Sequence, residues 1–170
     1  NIVDNRFTGL GCVLLSHCDT PTIQGNRFDN RDASRGREHA IRVSRSNLPQ
    51  VRRNHAYNYY YGLSSYYCSD ARFADNRAAD CRVGIHAHGG QVMFSNMTAE
   101  NCLIGVAIRA NGVVEDVHVR NAAGAAWQIT RTASLQLTDC STADLPETAD
   151  PLALDLASVA MLNCRIPVDS

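Results

Sequence analysis

TIQGNRFDN, residues 22–30, has a near copy in NIVDNRFTG, residues 1–9, and looser copies in QVRRNHAYN, 50–58, and RFADNRAAD, 72–80. In each block an apolar residue (Ile2, Ile23, Val51, Phe73) is followed three positions on by asparagine (Asn5, Asn26, Asn54, Asn76). Two positions further stands Phe7, Phe28, Ala56 or Ala78, a column that continues less cleanly as Ala99, Val119, Leu137 and Leu162. A second polar column follows at Asn30, Asn58, Asp80, Asn101, Asn121 and Asp139. Each copy then carries a later short strand: AIRV (40–43), GLSSY (62–66), GIHAH (84–88), GVAIR (105–109), AWQIT (126–130) and ALDLA (153–157). Its inward positions are Ile41, Leu63, Ile85, Val106, Trp127 and Leu154. Turn residues such as His88-Gly89-Gly90 and Asn111-Gly112 close the copies. The step between copies is mostly 20 to 22 residues, and no stretch holds a helical period. Short alternating strands at a fixed step, with like residues recurring in columns, predict a parallel β-solenoid in which each copy is one coil. Equivalent residues would stack about 4.8 Å apart, so a column of asparagines at a turn can bond to itself and to the backbone it would otherwise leave unsatisfied.

Bulk composition narrows the function classes. The chain has 170 residues, 45% hydrophobic and 19% charged, the balance of a folded domain. A net charge of -1 gives no global field toward nucleic acid or an anionic membrane, and no apolar run predicts membrane insertion. All 16 basic residues are arginine, which excludes lysine-based chemistry such as a Schiff base. Seven cysteines without a C-x-x-C pair argue against a zinc ribbon and are read as small buried hydrophobes. No signal-peptide pattern opens the chain and residue 1 is not methionine, so a segment of a longer protein is expected.

With NRF at 5–7 and 26–28, and apolar pairs after Gly84 and Gly105, the repeat resembles that of right-handed parallel β-helix proteins of the pectate-lyase-like superfamily. The resemblance implies an all-β, single-stranded right-handed parallel β-helix of about seven to eight coils, one domain over residues 1–170. The superfamily holds polysaccharide lyases, uronate epimerases, glycoside hydrolases, phage tailspikes and non-enzymatic surface proteins, so fold alone does not choose a function. It implies an extracellular, periplasmic or virion-associated setting. Open solenoid ends further predict end-to-end or trimeric self-association, or flanking domains that cover the ends.

Two copies carry loop insertions, RDASRGREH at 31–39 and STADLPETADPL at 141–152, both before the later strand. They are expected to wall one face, with Arg31, Arg35 and Arg37 on one side and Asp144, Glu147 and Asp150 on the other. On the floor between them, alternation predicts one outward column at Arg42, Ser64, His86, Ala107, Gln128 and Asp155. A second is Ser44, Tyr66, His88, Arg109, Thr130 and Ala157. Tyr66, His88 and Arg109 thus become vertical neighbours and the candidate catalytic residues. Arg42, Ser64, His86, Gln128 and the nearby Tyr61 are the candidate substrate-binding residues.

This column suits β-elimination or C5 epimerisation of a uronic acid polymer. An arginine fork matches the substrate carboxylate and acidifies the C5 proton. A histidine takes that proton, and a tyrosine protonates the leaving oxygen. The expected roles are Arg109 neutraliser, His88 base and Tyr66 acid, with an acidic polysaccharide as partner. A zinc site at His86 and His88 lacks a third ligand in the facing positions, and neither calcium nor an inverting aspartate pair is supported, so no metal or cofactor is called for. Whether the chain is an enzyme stays open. The alternative is a non-catalytic β-helix stalk or glycan-binding segment of a surface protein or phage tailspike.

Overall fold

The computed structural model describes residues 1–9, 12–31, 38–131, 134–155 and 157–167. All named elements among them are β-strands, and every strand pair is parallel, joining equivalent segments of successive coils. The solenoid has about seven coils.

The leading block of each copy is two strands that meet at a corner. The first sheet runs through Ile2–Val3, Thr22–Gln24 and Gln50–Arg52, and on through Leu135–Thr138 to Val159–Leu162. The second contains Arg6–Thr8, Arg27–Asp29, His55–Tyr57, Arg77–Ala79 and, later, Ser141–Ala143. Between them one residue per coil takes a left-handed backbone: Asp4, Gly25, Arg53, Asp75, Asn96, Asp116, Asp139 and Asn163, with φ between 47° and 67°. Asp, Asn and Gly dominate because they tolerate that conformation best. The third sheet holds Val13–Ser16, His39–Ser44, Ala125–Thr130 and Asp150–Asp155, joined through the first residues of Tyr61–Ala74, Val83–Glu100 and Ile104–Arg120.

The core lies inside the three sheets. One column is Ile23, Val51, Phe73, Phe94, Val114 and Leu137; another is Ile41, Leu63, Ile85, Val106 and Trp127. All of these are buried. The asparagine column stands at the corner just inside them. Asn26, Asn54 and Asn76 are buried, and each Oδ1 accepts from the backbone N–H and Nδ2 of the asparagine one coil earlier, at 2.9–3.1 Å. The ladder stops at Asn76, and the next rungs are Met97, Val117, Cys140 and Cys164.

Register departs from the sequence columns near the C-terminal end. Leu137 pairs with Val114, Leu162 with Thr138, and Asp139 occupies the corner column, not the second polar one. Leu154 pairs with Ile129, so Ala153 follows Gln128 and Asp155 follows Thr130, which displaces the expected places of Asp155 and Ala157. Two physical causes act. In the third-sheet strand a shift of two keeps every side chain on its own side of the sheet. Around Leu137 and Asp139, once cysteine replaces the corner asparagine, nothing in the sequence marks the bend. The 141–152 segment is also less of an insertion than expected. Ser141–Ala143 is a second-sheet strand and Asp150 opens a third-sheet strand, leaving Asp144–Ala149 as the connection. Of the 31–39 segment, Arg35 and Arg37 lie outside the described residues, while Arg31 is exposed and His39 begins a strand.

Candidate functional site

Pairing on the third sheet brings Tyr66, His88 and Arg109 into one outward column, His88 facing Tyr66 on one side and Arg109 on the other. Arg42, Ser64, His86, Ala107 and Gln128 form the adjacent outward column. A shallow cavity of about 170 Å³ opens over the later coils, lined by His86, His88, Arg109, Gln128 and Thr130.

The earlier coils close over with aromatic rings. Tyr61 stacks on His39 with centroids 4.6 Å apart and touches His86 at 5.2 Å. Tyr66 lies 5.0 Å from the His86 ring and 6.1 Å from His88, with the Arg42 guanidinium 4.5 Å above its face. Ser64 is not available to a ligand. It has no exposed surface, and its hydroxyl is hydrogen-bonded at 2.8 Å to His39 Nδ1. His39 folds over it from the neighbouring coil and fills the place a substrate hydroxyl would take.

Tyr67 and His39 are the site residues that alternation did not find. The Tyr67 hydroxyl lies 3.0 Å from His88 Nε2. Tyr67 has a left-handed backbone, φ 52°, and this turns its ring to the same side as Tyr66. The ring packs over Gly89, where an added Cβ would stand 2.4 Å from Tyr67 Cδ1. The glycine is therefore required by the tyrosine as well as by its own positive φ of 65°. The signal available in the sequence was the Tyr-Tyr pair itself, one coil before His-Gly-Gly.

Electrostatics keep the imidazoles neutral. Burial, helped by the His88, His39 and Arg42 charges, lowers His86 to about 4. Burial and Arg42 lower His39 to about 4. His88 is lowered by partial burial and by Arg109. Tyr66 is raised, chiefly by burial. Near neutral pH His88 thus holds a free lone pair beside a fixed cation, the state a general base needs. His86 Nδ1 is buried without a hydrogen-bond partner, a cost of about 1–3 kcal/mol. No group of three metal-ligating side chains occurs among the described residues.

Residues 1–143 match the family described as right handed beta helix region, and the chain belongs to that family. No curated protein matches the chain.

Proposed function

We propose that the third-sheet face binds an acidic polysaccharide and acts on it by β-elimination or C5 epimerisation. The observation that carries this is the contiguous row Tyr67, His88 and Arg109: a hydroxyl bonded to a neutral imidazole, with a guanidinium on the next coil. Arg109, exposed at the cavity rim, pairs with the uronate carboxylate and draws charge from C5. With His88 Nε2–H donated to the Tyr67 oxygen, Nδ1 carries the lone pair that removes the C5 proton. The C4–O bond breaks as the C4–C5 double bond forms, and a tyrosine hydroxyl protonates the departing oxygen. Tyr67, bonded to His88, suits that role better than Tyr66, whose ring is half-buried beneath Arg42 and whose hydroxyl is raised by burial. In epimerisation the proton returns to the opposite face of C5 and no bond to oxygen breaks. Tyr61, His86 and Gln128 border the sugar path.

A second reading, a glycan-binding segment without chemistry, is favoured by how shallow the cavity is. Both readings meet in one experiment. The protein is incubated with a panel of uronate polymers, and unsaturated product is followed by absorbance and C5 proton exchange by NMR. Loss of signal in His88→Ala, Arg109→Ala and Tyr67→Phe supports catalysis. Silence in both assays with retained polymer binding leaves the binding module, and absence of binding refutes both.

A further inference from the structure

A different face carries a second chemical constellation. On the second sheet His118 and Ser141 are register partners on successive coils, both on the outward side. Asp116 stands at the corner just before His118, with φ 52°. His118 Nε2 lies 2.9 Å from Asp116 Oδ1, an ion-pair contact when the imidazole is protonated. In the tautomer that turns the Nε2 hydrogen toward the carboxylate, the lone pair is on Nδ1. The Ser141 hydroxyl lies 2.7 Å from that nitrogen and in this tautomer donates to it. Carboxylate, imidazole and hydroxyl thus lie in one contiguous row, the order of groups that activates a serine nucleophile on unrelated folds.

We propose that Asp116, His118 and Ser141 form a nucleophilic site that hydrolyses short-chain carboxylate esters carried on polar molecules. Three observations set the substrate class. The chain borders a cavity of about 590 Å³ whose lining includes Asp139, Ser141, Asn163 and Arg165. Among the described residues that lining has no large apolar side chain to hold a long acyl group, so an acetyl-sized group on a hydrophilic carrier fits. Arg165 is the backbone bridge partner of Ser141 on the next rung and lines the same cavity, so it supplies a cation to that site. Cys140, next to Ser141, is pushed up to about 12 by burial and stays protonated.

The step balances with water alone. Ser141 Oγ bonds to the ester carbonyl carbon as its proton passes to His118 Nδ1, and the resulting imidazolium is held by Asp116. The oxyanion forms on the Arg165 side. The carbonyl re-forms, the C–O bond to the alcohol breaks, and that alcohol leaves with the proton from His118. Water, deprotonated by His118, then cleaves the acyl-serine and restores the site. The imidazole uses Nδ1 toward serine and Nε2 toward carboxylate, and either ring nitrogen can carry the proton.

The test is labelling of the full chain with a fluorophosphonate probe, mapped by peptide mass, together with p-nitrophenyl acetate turnover. The expected result is one label on Ser141, with labelling slowed ~100-fold or more in His118→Ala and to a lesser degree in Asp116→Asn. Turnover vanishes in Ser141→Ala, whose folding is checked by circular dichroism; the wild-type mapping stands independently of any variant's folding. Absence of labelling overturns the proposal. So do labels spread over several serines at the rate of the denatured chain, or a Ser141 rate indifferent to His118→Ala.

Discussion

Asn54→Ala removes the central rung of the asparagine ladder. The Asn54 side chain is fully buried. Its Oδ1 accepts from Asn26 N–H and Asn26 Nδ2, each at 3.0 Å, and its Nδ2 donates to Ile23 O, Arg52 O and Asn76 Oδ1 at 2.9–3.1 Å. Alanine deletes all five bonds. Some losses are softened: Arg52 O still accepts from Gly25 N–H, and Asn26 Nδ2 still reaches Ile2 O and Gln24 O. The Asn26 N–H has no such reserve and is left buried without a partner. One orphaned backbone donor costs about 1–3 kcal/mol, and each lost bond about 0.5–1.5 kcal/mol net. The terms share groups and do not add fully, so the expected loss is roughly 3–5 kcal/mol. Asn5→Ala sets the contrast. Asn5 is exposed, and its side chain only donates, to Val3 O and Asn26 Oδ1, so its loss is expected below about 1 kcal/mol. Urea unfolding followed by circular dichroism, with the slope monitored because solenoids lose coils piecemeal, gives both values. Equal costs at Asn5 and Asn54, or a cost at Asn54 below about 1 kcal/mol, would refute the claim that the ladder works by satisfying buried backbone.

Three further outcomes are expected. His86, near 4 when folded against 6.5 when exposed, makes the unfolded chain take up a proton the folded chain refuses; stability therefore falls as pH drops from about 6.5 toward 4, by up to roughly 3 kcal/mol. His39 acts in the same direction, and urea midpoints measured between pH 7 and 4.5 should show a shallower fall in His86→Gln than in the parent. Gly84→Ala places a Cβ 2.7 Å from Gly105 O and 2.9 Å from Ala99 Cβ, neither free to retreat, so thermal melting should show a loss of about 2–3 kcal/mol. Ser65→Ala removes a core hydroxyl that has no hydrogen-bond partner and is expected to be neutral or stabilising by roughly 1 kcal/mol; a clear destabilisation would mean the hydroxyl is satisfied.

The repeat was readable where chemistry marks its corners. Asn5, Asn26, Asn54 and Asn76 each name a bend, and alternation within the later strand then puts Tyr66, His88 and Arg109 in line. Past Asn76 the corner is Met97, Val117, Cys140 and Cys164, which differ little from core residues. Leu154 consequently slipped by two, and Leu137 by five into the inward column of the neighbouring sheet, both staying on an inward side. Tyr67 escaped notice because alternation assumes extended backbone and its φ is positive. Ser64 looked available because a strand pattern tells which way a side chain points, not what folds over it. The Asp116–His118–Ser141 chain was invisible for a related reason: its carboxylate comes from a corner and its hydroxyl from the next coil.

The end of the ladder at Asn76 divides the molecule mechanically. In the earlier coils, unwinding a rung must break directional bonds that reach across to the neighbouring asparagine. In the later coils the same corner is held by apolar contacts and by the weaker bonds of Cys140 Sγ to Val114 O and Cys164 Sγ to Leu137 O. A pull applied at the C-terminal side would peel coils off one after another by breaking their backbone ladders, then meet an added clasp at Asn76. The solenoid is thus built as a spring with a latch a little below its middle, and a force–extension trace would show one tall step where the asparagines begin.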